Sequence, residues 1–187
     1  MSETNFLSAL LDFSPISRVR RNHALEHATM QVLAEQHGTV RLVGRSSFWG
    51  FTIYGDVDTE NLLHAAREGL RRLKAGQRTM AIHPNCGSNY AVAGTIAGLG
   101  AFLALGGLSR DREERFLDRL ARLPLACAVG TLGVILSRPL GTAFQAHVTT
   151  EADVGDLHIA GVTRSEQAGT TVHFVQTETE SATAQGD

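Results

Sequence analysis

The chain has 187 residues, 43% of them hydrophobic, and a formal net charge of −2. That length allows one domain of ordinary size, or a small domain plus an anchor. The near-balance of charge excludes a protein held on nucleic acid by phosphate contacts, which requires a strongly basic face. Lys74 is the sole lysine beside many arginines, which we read as genome composition. Cys86 lies in a polar turn and Cys127 in an apolar run, so no disulfide framework is expected and a reducing compartment fits.

In chain order, residues 5–13 are too short and too acidic for a signal peptide and read as a short amphipathic helix, lying on a membrane or on the domain. Ser14-Pro15 starts a long helix, with Ser as cap and Pro at the first helical position, and Gly38 ends it after His37. At about 100° per residue, Val19, His23, Glu26, His27, Met30, Leu33 and Ala34 share one side. Arg18, Arg21, Glu35 and Gln36 fall elsewhere. Residues 39–44 and 48–54 are rich in β-branched and aromatic residues and read as a hairpin about a Gly/Arg/Ser/Ser turn, with Trp49 and Phe51 as core or interfacial aromatics.

Asp58 caps a second helix over residues 59–75, with Leu62, Leu63, Ala66, Leu70 and Leu73 as its inner stripe and Gly76 as its stop. Residues 78–82 read as a short strand leading into His83-Pro84-Asn85-Cys86-Gly87-Ser88-Asn89. Residues 91–108 then carry no charge: eighteen positions, enough to cross a bilayer core with little to spare. Gly94-x-x-x-Gly98 and Ala93, Ala97 and Ala101 provide small faces for close helix packing. Residues 109–122 are charged and amphipathic, and a second uncharged run covers 123–137, with Ala126-x-x-x-Gly130 as its small face and Arg138-Pro139 as its end. The expected result is a two-helix membrane hairpin; the bland alternative is a buried hairpin in a soluble protein. Residues 149–155 are a linker, 156–162 and 171–176 two strands returning to the first hairpin, and 178–187 a disordered tail.

The chemistry concentrates in His23-Ala24-Leu25-Glu26-His27. Residues four apart on a helix lie one above the other, so His23 and His27 can chelate one divalent ion, and Glu26 beside them can take a proton from metal-bound water. A buried, unpaired carboxylate is costly, so Glu26 must find a metal, an arginine or a proton. His83-x-x-Cys86 also has ligand spacing. With both its residues the site is closed and structural, and with one a position stays open for water. The bland readings are core histidines bonded to backbone, Glu26 paired to Arg20 or Arg78, and a turn feeding a helix at 84–87. His37 and His64 read as surface positions, and His147, His158 and His173 follow no ligand spacing. No phosphate-binding loop, G-x-S-x-G elbow or post-strand G-x-G-x-x-G occurs.

The motifs His23 to Ala28, Gly50 to Gly55, His83 to Asn89 and His173 to Val175, with the apolar runs between, resemble an uncharacterised family of small bacterial membrane proteins, a domain of unknown function. The resemblance covers most of the chain and implies no activity, cofactor or partner. The H-x-x-E-H order is similar to that of the inverzincin metallopeptidases over five residues only. Those enzymes use a downstream glutamate ligand, and here the next acidic residue after the His83 motif is Asp111, in the loop between the two apolar runs.

The fold expected is α+β: two helices and a small, largely antiparallel sheet formed by 1–88 and 149–177, interrupted by a transmembrane hairpin at 89–148. The function expected is a membrane-anchored divalent-metal protein, zinc by its donors, with His23, His27, His83 and Cys86 as ligands and Glu26 as general base or supporting acid. A metal-free membrane adaptor and a zinc-dependent peptidase are the alternatives. Partners are the lipid bilayer and, through the small helix faces, a membrane protein or a second copy. Location is a bacterial inner membrane with a cytoplasmic domain, although the five arginines from Arg110 to Arg122 pull the other way under the positive-inside rule.

Overall fold

The structure, a computed structural model, describes residues 6–38, 41–107 and 116–179. It divides into two compact units, residues 1–83 with 146–187 and residues 84–145.

The first unit is built on α2 (Ser14–His37), preceded by the short α1 (Phe6–Asp12). Phe13 rather than Ser14 occupies the N-cap, so Pro15 falls inside the first turn, where a missing N–H costs nothing. Gly38 closes the helix as expected, at φ +74°. Against α2 packs α3 (Thr59–Lys74), capped by the Asp58 carboxylate, which accepts from the backbone N–H groups of Glu60 and Asn61. The two helices meet at small residues. A methyl group added at Gly69 would stand 3.0 Å from the Ala28 Cβ, and Ala24, Ala65 and Ala66 are fully buried beside this crossing.

Four antiparallel strands complete the unit: β1 (Val43–Ser47), β2 (Gly50–Tyr54), β3 (His158–Gln167) and β4 (Thr170–Glu178), in the order β1-β2-β4-β3. The two C-terminal strands therefore return to the first hairpin, as the sequence implied. Phe51 stands opposite Val175 and Ile53 opposite His173, and all four are buried. They join Leu25, Leu33, Leu62 and Leu157 in one core.

Two expectations are corrected here. The first strand lies at 43–47 instead of 39–44, of which 39 and 40 fall outside the described residues. The hairpin turns through Phe48-Trp49, so Ser47 faces Gly50 and pairing ends at Val43 opposite Tyr54. Phe51 is core, whereas Trp49 at the turn is exposed, beside Phe48 and the Arg18 guanidinium. Residues 78–82 form no strand: Arg78–Ala81 is a 3₁₀ turn. Its carbonyls, and that of Ile82, are claimed by side chains of α2 instead of by a neighbouring strand.

The second unit holds α4 (Gly87–Ala104), α5 (Phe116–Ala121) and α6 (Leu123–Phe144). Helices α4 and α6 run in opposite directions and touch through small residues. Methyl groups added at Gly133 and Gly130 would meet the Ala97 Cα at 3.1 Å and the Ala101 Cβ at 3.9 Å. Gly94 and Gly98 have nothing within 4 Å of an added Cβ, so the packing seam is Ala97/Ala101 against Gly130/Gly133 and not the G-x-x-x-G pair. Arg138-Pro139 does not end α6, which runs on to Phe144 and into a π-helical turn, Gln145–Thr149. The Thr142 hydroxyl donates to the Pro139 carbonyl at 3.0 Å, bracing the turn after the proline.

Among the described residues, one helix is long and apolar enough to cross a membrane, the 27 residues Leu123–Thr149. The other falls short because Gly87-Ser88-Asn89-Tyr90 supplies a polar first turn, leaving 14 apolar residues, about 21 Å of helix, against a core of about 30 Å. Most of the charged connection, and the tail from residue 180, lie outside the described residues.

His173 makes the first unit acid-sensitive. It is fully buried, its Nε2 bonded to the Thr59 hydroxyl at 2.9 Å and its Nδ1 without a partner. Burial, and then the charge of Arg164 directly opposite on β3, hold its pKa below the ordinary 6.5, outweighing the attraction of Asp58. The unfolded chain then binds this proton more readily than the folded one, so stability is complete above pH 6.5 and falls as the pH drops below it. Denaturant titrations across that range should record the loss, and His173→Gln should flatten it.

Candidate metal centre

Four side chains on one face of α2 organise the site. Arg20, His23, His27 and Gln31 follow each other at intervals of three, four and four, the spacing that keeps residues in register on a helix. Each reaches backbone carbonyls on a segment distant in sequence. The buried Arg20 donates to the carbonyls of Val148 at 2.9 Å, Thr150 at 3.0 Å and His147 at 3.3 Å, and pairs with Glu151 at 3.4 Å. It thereby holds the 147–151 segment, whose Thr149 carbonyl accepts from His23 Nδ1 at 2.9 Å. Lower on the helix, Gln31 donates to the carbonyls of Met80 and Ile82 at 3.0 and 2.9 Å, and between them the Ala81 carbonyl accepts from His27 Nδ1 at 2.7 Å.

These bonds decide which nitrogen of each ring does what. A carbonyl can only accept, so Nδ1 of His23 and of His27 carries the proton and, in the neutral ring, Nε2 carries the lone pair. Histidines that bind metals are oriented this way, through a backbone carbonyl on the other ring nitrogen. The rings of His23 and His27 lie 4.4 Å apart between centroids. Gln31 and His27 fix the segment that delivers His83, whose ring is 5.7 Å from that of His27.

His23, His27 and His83 thus come together in the first unit, whereas Cys86 belongs to the second. Glu26 is not part of this cluster of rings. Its side chain is buried against β1, where the Ser46 hydroxyl donates to Oε2. Gly44 is what makes room: a Cβ there would lie 2.1 Å from Glu26 Oε1 and 2.9 Å from its Cγ. Arg20, considered from sequence as a partner for Glu26, is committed to the 147–151 segment. His37 and His64 lie away from the site on α2 and α3, and His158 pairs loosely with Glu178 at 3.7 Å.

The residues matched by a family described as a domain of unknown function, DUF6391, are 18–162. The chain belongs to that family. It is also 31% identical over 189 residues to an uncharacterized protein of Picosynechococcus sp. (strain ATCC 27264 / PCC 7002 / PR-6), a match covering 94% of this chain and 88% of that one. No solved structure matches it. The part matched to the DUF6391 family contains the whole α2 stripe, Ser46, His83, Cys86 and the 147–151 segment, and it stops within β3, before β4.

The sequence pattern pointed to His23, His27, His83 and Cys86 but not to Gln31, to Ser46 or to the clamp made by Arg20. The periodicity was there to be read, since a polar residue at each of 20, 23, 27 and 31 makes a stripe on an otherwise apolar side. Ser46 carried no such signal, because its role depends on the strand register.

The fit of Glu26 against Gly44 is open to test. Gly44→Ala should destabilise the protein by about 1–3 kcal/mol, since the buried carboxylate has to be displaced. The same change made in a Glu26→Ala background should cost much less. Additive losses in a double-mutant cycle by denaturant unfolding would show that the two positions do not press on each other.

Proposed function

We propose that this chain is a membrane-anchored protein that binds one divalent transition metal, zinc by its donor set, at His23, His27 and Cys86, with His83 as the fourth ligand. The observation that carries the reading is the pair of carbonyl bonds at His23 Nδ1 and His27 Nδ1. They orient two imidazoles of one helix with Nε2 free to accept, and borderline nitrogen and sulfur donors in a tetrahedral number suit zinc. Three nitrogens and one sulfur close the coordination sphere, which favours a structural or storage role over hydrolysis. Glu26, held by Ser46, then serves as a supporting acid that braces α2 against β1.

The anchor is the helix from Leu123 to Thr149. Leu125, Leu132, Ile135, Leu136 and Leu140 are all more than half exposed along it, a surface that water disfavours and lipid accepts.

Purified protein should contain about one zinc per chain by elemental analysis, and chelation should lower its melting temperature. His27→Ala should abolish stoichiometric binding. Gln31→Ala, which touches no ligand atom, should weaken affinity by about 10–100-fold through loss of orientation. Cobalt-loaded protein should show thiolate charge-transfer absorption that Cys86→Ser removes. Metal-free protein with an unchanged melting temperature would leave a packed scaffold with no metal function.

A further inference from the structure

Between Leu123 and Phe144 the helix α6 carries a single charge, Arg138. The side chain is exposed, and among the described residues no carboxylate pairs with it. Beside it, within the second unit, lies a cleft of about 440 Å³. Asn85, Tyr90, Ser137 and Thr142 give the cleft polar walls, and Ala93 and Val134 an apolar one.

Position decides what this arginine needs. It stands fifteen residues beyond Leu123, about 22 Å along the helix. In a helix that begins its crossing there, the guanidinium is still within a hydrocarbon core of about 30 Å. A charge at that depth is costly and is relieved by an anion or by reaching toward the interface along a polar path. The cleft is such a path. The Ser137 and Thr142 hydroxyls already donate to the Val134 and Pro139 carbonyls and the Asn89 amide to that of Pro84, so the Arg138 fork and the exposed Tyr90 phenol are the donors we assign to an anion. A guanidinium matches a phosphate bidentately, and the apolar wall suits an acyl chain next to it.

We propose that this cleft binds the headgroup phosphate of an anionic phospholipid, anchored by Arg138. The proposal rests on the reading of α6 as a membrane helix and is independent of the metal centre.

The test uses the full chain reconstituted in nanodiscs of phosphatidylcholine with and without phosphatidylglycerol, then released for native mass spectrometry. Wild-type protein should retain bound phosphatidylglycerol, Arg138→Gln should retain about tenfold less, and Arg138→Lys should fall between, as a point charge replaces the fork. Arg67→Gln, in the first unit, should behave as wild type. Equal retention by Arg138→Gln, or by Arg138→Lys should the glutamine variant not fold, would overturn the site. Inorganic phosphate raising the melting temperature of detergent-solubilised protein as much as phosphatidylglycerol would reassign the cleft to a free anion and overturn the lipid. Failure of the chain to enter either disc would overturn the membrane reading itself, and this site with it.

Discussion

The first unit depends on a problem of unpaired backbone carbonyls and the way α2 answers it. The segments 78–82 and 147–151 belong to no sheet, yet both pack against α2, and their carbonyls at Ala81 and Thr150 take part in buried hydrogen bonds. Side chains of α2 supply the missing donors: Arg20 and His23 for the later segment, His27 and Gln31 for the earlier one. Without such donors, each buried carbonyl would cost on the order of 1–3 kcal/mol. The polar stripe on α2 is therefore the means by which two irregular segments, nearly seventy residues apart, are held on one helix.

That arrangement makes structure and candidate chemistry hard to separate. The bond that satisfies Ala81 also sets the tautomer of His27, and the bond that satisfies Thr149 does the same for His23. A core histidine bonded to backbone and a ligand histidine oriented by backbone look alike at Nδ1. They differ in what surrounds Nε2. A lone imidazole in a core is packed by apolar atoms, whereas here a second ring stands 4.4 Å away and a third, that of His83, lies 5.7 Å from His27. That gathering of rings on and beside α2 is the feature from which the proposed metal site is argued.

Much of the fold was legible because its signals are local. Asp58 and Gly38 cap the helices they were expected to cap, and the alternation in the last forty residues gave two paired strands. What misled was non-local. Residues 39–44 alternate like a strand, but the ladder begins where Tyr54 offers a partner, at Val43. Residues 78–82 look extended, but the helix, not a strand, takes their carbonyls. Gly94-x-x-x-Gly98 has the spacing of a packing motif, but α4 turns its alanines and not these glycines toward α6. At the candidate site the pairing of two histidines on one face of α2 could be read, while the turning of Glu26 toward Ser46 could not, since it depends on which residue of β1 faces inward.

The position of Glu26 bears on which chemistry a metal here would perform. In the H-x-x-E-H order the acid is one residue from one histidine and three from the other, so it can serve either the ion's water or the wall behind the helix. The wall in this chain is shaped for it: a glycine at 44 leaves the space and a serine at 46 donates into it. A hydroxyl that donates to the carboxylate holds it at β1. A general base must instead be within reach of the proton that it takes, directly or through one water. Of the five residues that carry the peptidase resemblance, the acid is thus arranged to brace a strand.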